Sequence, residues 1–307
     1  MPSELSFIDR IRRRATLPHS SRLILGIGDD CAIFRPPASP IDLLFTTDLL
    51  IEGTHFLRST HTPEDAGWKA LARGLSDIAA MGGDPRFCLL SLAIAPWQTD
   101  RWVDAFYRGL LRLARRESTA LAGGDLSRAP QAACDIVVCG DVPHGAALRR
   151  DTARPGDLLY VSGALGGSAL GLVKGKRDPH AWKRHTRPEP RLSLGRFLRH
   201  SLHASAAMDL SDGLSLDLRR LCLASGLAAD ITAPPRFPGA TLELSLHGGE
   251  DYELLFAVPP QTNVPAGHQS LLLTPIGVLR KGRPGHIRLD GKPLAALGYD
   301  HLRGGFR

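Results

Sequence analysis

The chain has 307 residues, 43% of them apolar, 22% charged and 6% aromatic, with a net charge of +7. That composition excludes a disordered or fibrous protein and provides enough chain for two packed domains rather than one. No apolar run reaches the ~18 residues of a membrane span. The first residues lack the apolar core of a signal peptide, and five cysteines without a CxxC pair argue against a disulfide framework or structural zinc. A cytoplasmic protein with no membrane partner is expected.

The charge is uneven. Residues 174–200 hold nine Lys and Arg against Asp178 and Glu189, an excess equal to the net charge of the whole chain. Such a patch reads either as a solvated face or as a surface that meets phosphates. With no aromatic-interleaved RNA motif and no helix-turn-helix signature, no nucleic-acid partner is expected.

Strands and helices alternate through the first half. Leu23–Gly26 is a short apolar run that ends in Gly-Ile-Gly-Asp-Asp, and Ile41–Thr47 predicts a strand ending at Asp48. Thr62-Pro63-Glu64-Asp65 predicts a helix start: a cap, a proline in the first turn, then acids. Leu71, Leu75 and Ile78 then share a face, and Gly82-Gly83 stops the helix. Trp102, Phe106, Leu110 and Leu113 mark a second amphipathic helix. Ala120–Ala122 runs into Gly123-Gly124-Asp125, and Asp135–Gly140 reads as a strand. A domain boundary is expected near Arg149–Gly156, dividing the chain into 1–149 and 150–307. Beyond it come a strand at Leu158–Ser162, a glycine-rich stretch and the basic segment. A helix capped by Ser211 or Asp209 then runs to about Ser225, and Glu253–Val258 predicts a strand. Residues 259–307 read as irregular, with short strands.

One pattern recurs. Glycine-flanked acids follow apolar runs or open helices: Gly28-Asp29-Asp30, Thr46-Thr47-Asp48, Gly124-Asp125, Asp209-Leu210-Ser211-Asp212 and Gly249-Glu250-Asp251, with Asp77 inside a helix. Each alone suits an ordinary turn. Gathered at strand ends, where α/β proteins bind ligands, they would repel one another unless cations sat between them. Oxygen donors with Ser and Thr hydroxyls point to magnesium rather than zinc. The common phosphate cradles are missing: there is no GxxxxGK[ST], and Gly26-Ile-Gly-Asp-Asp is not GxGxxG. Metal-bridged phosphates fit instead.

The segments GIGDDCAIF (26–34), TTDLLIEGTHF (46–56), LSDIAAMGGDPRF (75–87), AGGDLSRA (122–129), MDLSDGLSLDL (208–218) and LHGGEDYELLF (246–256) occur in that order. Together they resemble the thiamine-monophosphate kinases, in a superfamily with aminoimidazole ribonucleotide synthetase and selenophosphate synthetase. The resemblance implies an N-terminal α/β domain that binds ATP and dimerises through its strands, followed by a C-terminal α+β domain. It implies transfer of the γ-phosphoryl of ATP to thiamine monophosphate, directly and in line, in a homodimer. Asp30, Thr46, Thr47, Asp48, Asp77, Asp125, Asp209 and Asp212 would hold several Mg²⁺ ions, with Asp30, Asp48, Asp125 and Asp212 at the chemistry. Tyr107, Gly124, Asp125, Arg150 and Ser211 would contact ATP, and His55, Glu250 and Tyr299 would receive thiamine phosphate. The pattern departs from the family at GTHF and at GYDHL. A selenophosphate or aminoimidazole ribonucleotide type of synthetase is the alternative. Residues 1–25 lack the Cys and Lys of the selenophosphate branch, and GGEDYEL favours the thiamine branch.

Overall fold

The computed structural model describes residues 3–15 and 22–302. The first half forms a six-stranded sheet in the order β1-β2-β3-β6-β4-β5. Its strands are β1 (Leu23–Leu25), β2 (Ala32–Phe34), β3 (Ile41–Ile51), β4 (Asp84–Ile94), β5 (Ala120–Arg128) and β6 (Ala133–Pro143). Helix α1 (Glu4–Arg14) precedes it and buries no residue. Helices α2 (Pro63–Ala80) and α3 (Asp100–Arg116) cover one face. Their apolar stripes and the inward residues Leu44, Leu90, Ile136 and Val138 make the first core.

Helix α2 starts as its sequence dictates, with Thr62 and Asp65 forming a reciprocal capping box and Pro63 in the first turn. Strand β3 runs past the expected end. It pairs with β6 from Ile41 opposite Pro143 to Ile51 opposite Ala133, so Asp48 lies within the strand. The same holds for Gly124 and Asp125 in β5. Gly124 has φ +154°, and a Cβ there would lie 1.8 Å from Leu90 O, so only glycine permits the approach of β5 to β4.

The second half builds an eight-stranded sheet in the order β14-β13-β9-β12-β7-β10-β8, with β11 on β12. Its strands are β7 (Leu158–Ser162), β8 (Ala206–Asp209), β9 (Ala228–Ile231), β10 (Leu254–Val258), β11 (Gly267–His268), β12 (Leu271–Arg280), β13 (Ile287–Leu289) and β14 (Lys292–Pro293). Helices α4 (Gly167–Lys174), α5 (Pro179–Thr186), α6 (Leu192–Phe197), α7 (Leu214–Ala224) and α8 (Leu242–His247) are interspersed. This is the α/β-then-α+β architecture expected. Two local expectations change. Helix α7 begins at Leu214, and its start is held by Asp217, whose carboxylate accepts the N–H of Asp212 and of Gly213 at 3.0 Å each. The region after 259 contains a ten-residue strand, β12, sandwiched between β7 and β9.

Five of the nine basic residues of the segment 174–200 are engaged by acids, while Lys174, Lys176, Arg177 and Lys183 stand exposed. Arg184 and Arg191 both pair with Glu253, Arg187 with Asp65, and Arg196 and Arg199 with Asp84. Trp68 Nε1 also donates to Pro188 O at 2.9 Å. These contacts seat α5 and α6 on α2, so the segment ties the two sheets together. All five cysteines are buried and free, and no described helix is long and apolar enough to cross a membrane.

Candidate active site

Helix α2 faces the second sheet with a stripe of charge. Asp65, Lys69, Arg73 and Asp77 follow at intervals of four, which keeps them on one side of a helix whose other side is core. Each finds a partner from elsewhere. Lys69 Nζ lies 2.8 Å from Glu250 Oε1 and donates to His55 O at 3.0 Å. Arg73 Nη2 lies 3.0 Å from Asp48 Oδ1. Asp77 accepts a short hydrogen bond from Thr46 Oγ1.

At the C-terminal end of that stripe, Asp77 meets Asp30 and Asp209, with one ligand oxygen of each within 4.8 Å of the others. Asp30 comes from the turn after β1. Its neighbour Asp29 is a structural acid, accepting the N–H of Asp30 at 2.9 Å and the Arg150 N–H at 3.1 Å. Asp209 ends β8 and accepts from Ser76 Oγ at 2.6 Å. Three segments distant in sequence thus bring three carboxylates together. Burial pushes the Asp30 carboxyl up to about 7, against the pull of Arg150, with Asp29 and Asp217 adding to the rise. Burial and mutual repulsion raise Asp77 and Asp209 well above the usual carboxylate range. One Asp30 oxygen, Oδ2, is buried without a partner. A cluster of this kind suits a hard divalent cation with oxygen ligands.

The cluster opens on a cavity of about 390 Å³. Asp48, Asp77, Asp209, Ser211 and Asp212 line one part of it, and His55, Glu250 and Tyr299 another. Asp212 is held by Arg220, which also reaches Asp217 at 2.8 Å. Glu250 stands in a strained loop. It has φ +64° and Tyr252 has φ +51°, both in the left-handed region, each conformation costing on the order of 1–3 kcal/mol. The loop is held by Glu250 N–H to Ser211 O at 2.7 Å and Tyr252 N–H to Leu210 O at 2.9 Å. The preceding glycines serve close approach rather than the turn itself: a Cβ on Gly249 would lie 2.7 Å from Ser211 O. Burial raises the Glu250 carboxyl, but Lys69 and His185 outweigh it and bring it down to about 2. His55 and His185 are pushed down to about 3, and His61 to about 4, by burial. All three rings are therefore neutral near pH 7.

The remaining sequence-predicted residues lie apart from this cavity. Thr46 and Thr47 are successive in β3 and point to opposite faces: Thr46 toward α2, Thr47 to the open face, where it donates to Asp135 Oδ1 at 2.7 Å. Asp125 is in register with Ser91, itself opposite Asp135, and so shares that open face. Tyr107 is half-buried against the first core, edge-on to Phe106. Arg150 pairs with Asp29 and Asp30. Sequence reasoning missed Lys69, Arg73, His61 and His185. The first two could have been found from the four-residue spacing of charges in an otherwise apolar helix.

The fold and this carboxylate site define a class: residues 28–142 match the AIR synthase related protein, N-terminal domain. The chain is 39% identical to the thiamine-monophosphate kinase of Salmonella typhimurium, over 96% of each sequence. It is 33% identical to that of Bacillus subtilis, over 98% of this chain and 99% of the relative. The solved structure of AaThiL complexed with AMPPCP and TMP is similar with a TM-score of 0.85 at 32% identity, covering 97% of both chains. The chain belongs to the thiamine-monophosphate kinase family.

Proposed function

We propose that the protein transfers the γ-phosphoryl of ATP to thiamine monophosphate, giving thiamine diphosphate, with several Mg²⁺ ions, in a homodimer. The observation that carries this reading is the trio Asp30, Asp77 and Asp209, contributed by both halves of the chain and met by one guanidinium, that of Arg150, with Asp77 and Asp209 opening on one cavity with Glu250 and His55. The relatives named thiamine-monophosphate kinase and the AaThiL complex with AMPPCP and TMP support the choice of substrates.

The acceptor is an ionised phosphate oxygen, so no strong general base is required; the barrier is the approach of two anions. Magnesium ions held by Asp30, Asp48, Asp77, Asp209 and Asp212, with Thr46, would neutralise both phosphates. The chain's own part is to hold those carboxylates rigidly, Asp77 through Thr46 and Asp209 through Ser76. We assign contacts with the ATP phosphates to Ser211 and Arg150. Glu250, fixed by Lys69, presents a charged acceptor of hydrogen bonds toward the thiamine cation, beside His55 and Tyr299. The attacking oxygen is the acceptor's own phosphate, which needs no enzyme nucleophile, and we read the transfer as direct and in line.

We divide the chain into 1–149, binding ATP and metal, and 150–307, completing the site, a reading that the two separate sheets support. The homodimer reading is supported by the sheet face opposite α2, where Leu49 and Leu89 stand 49% and 38% exposed. A second copy covering that face would bury them. Thr47, Gly124 and Asp125 lie on β3 and β5 of this sheet, and we assign their metal and ATP contacts, with Tyr107 from α3, to the assembled homodimer. The test is incubation with Mg-ATP and thiamine monophosphate. Thiamine diphosphate formed in step with ADP is the expected result; absence of thiamine diphosphate overturns the reading.

A further inference from the structure

A phosphate entering the cavity meets mostly its own sign of charge. Glu4, Asp48, Asp77, Asp209, Asp212 and Glu250 line it, and three of its four histidines, His55, His61 and His185, are held neutral by burial, the fourth being His301. Among the described residues that line it, Arg73 is the only lysine or arginine. Lys69, one turn earlier, is sealed: its side chain is 0% exposed and its ammonium is engaged by Glu250 and His55 O.

Arg73 is placed differently. Its side chain is 11% exposed. One guanidinium nitrogen pairs with Asp48, another donates to Leu49 O at 2.9 Å, and Nε is buried without a partner. Its neighbours Tyr252, Asp48, Glu250 and Asp77 outweigh burial and keep it protonated. It stands one helical turn from Asp77 and one from Lys69, and so lies between the acid cluster and the carboxylate that Lys69 holds.

We propose that Arg73 binds the phosphate of the acceptor and is the residue by which the site prefers a phosphorylated ligand. The proposal rests on the reading of this cavity as the acceptor site and of Asp48 as a metal ligand. Once a cation neutralises Asp48, that carboxylate no longer needs the guanidinium. A planar guanidinium can then grip two phosphate oxygens together, which a point charge cannot. Arg73 thus guards Asp48 in the empty site and meets the phosphate in the filled one, so no bare buried cation or anion arises in either state.

The experiment compares two ligands that differ by the phosphate alone. Thiamine monophosphate and thiamine are titrated by calorimetry into the intact protein and into Arg73→Gln, with Mg²⁺ and no ATP. The expected result is a roughly 10- to 100-fold loss of affinity for thiamine monophosphate, the size of a lost charge-assisted contact, with thiamine unchanged. Arg73→Lys, which keeps the charge but not the fork, shows a smaller loss of preference. It carries the test if Arg73→Gln does not fold, and an unchanged preference in it then overturns the proposal. Equal losses for both ligands, or none, in Arg73→Gln overturn it too: the first makes Arg73 a wall of the cavity, the second leaves the phosphate to the metals. If the unaltered protein binds neither ligand, the acceptor reading itself falls, and the proposal with it.

Discussion

Two groups of buried charge lie on either side of the junction between the sheets, and they differ in balance. Around Glu253, two arginines and the Ser162 hydroxyl meet one fully buried carboxylate. Around Asp77, three carboxylates share space with hydroxyls and a single guanidinium, that of Arg150, which pairs with Asp30 and is shared with Asp29. Glu253 is held below the usual carboxylate range, because Arg191 and Arg184 outweigh its burial. Asp30, Asp77 and Asp209 are pushed above it. Both are acids inside a protein, and the difference is what balances the charge: side chains in one case, the proposed cation in the other. A balanced cluster locks the fold, whereas an unbalanced one waits for a ligand.

The comparison breaks most easily at the lock. Glu253→Gln preserves shape but strands the cations of Arg184 and Arg191, and unfolding in urea is expected to show a loss of about 3–5 kcal/mol. A loss below ~1 kcal/mol would mean that α5 and α6 are held by packing alone. The Lys69–Glu250 pair sharpens the contrast, because it is balanced yet faces the cavity. Glu250→Gln is expected to cost about 3 kcal/mol by leaving a buried ammonium unpaired. Adding Lys69→Met recovers at least ~1 kcal/mol of that, a coupling that a double-mutant cycle of melting curves reads directly. Affinity for thiamine monophosphate, down roughly tenfold in the single variant, is not recovered in the double, because Glu250 is still missing. Recovery of both would make Glu250 a purely structural acid.

How much of this was legible in the sequence follows from the range of the interactions. The capping box at Thr62 and Asp65 is local, and so it was readable. The acid-bearing motifs were readable as a set, because each keeps its glycine or hydroxyl neighbours in the chain. The face of each residue in β3 was available from alternation, which separates Thr46 from Thr47, yet a motif read as a string hides it. The basic segment could not be understood from itself. Its partners Asp65, Asp84 and Glu253 lie up to 122 residues away, so a locking surface and a phosphate patch have the same composition. Lys69 and Arg73 were missed for a related reason: a single cation in a helix reads as surface until the fold shows a carboxylate opposite it.

The most direct test of the unbalanced site is its melting temperature against pH, with and without Mg²⁺. A carboxyl near 3.8 in the unfolded chain and near 7 at Asp30 in the folded one keeps its proton longer when folded. Between those values the unfolded state loses protons first, so stability falls as pH rises from about 4 to about 7. The account predicts that decline in the metal-free protein and predicts that Mg²⁺ restores stability more at pH 8, above the Asp30 value, than at pH 5. In Asp77→Asn, with one charge of the cluster removed, the decline shrinks and Mg²⁺ has little effect. A melting temperature that does not fall with pH in the metal-free protein, or Mg²⁺ stabilisation that persists undiminished in Asp77→Asn, would contradict the assignment of this cluster as the cation site.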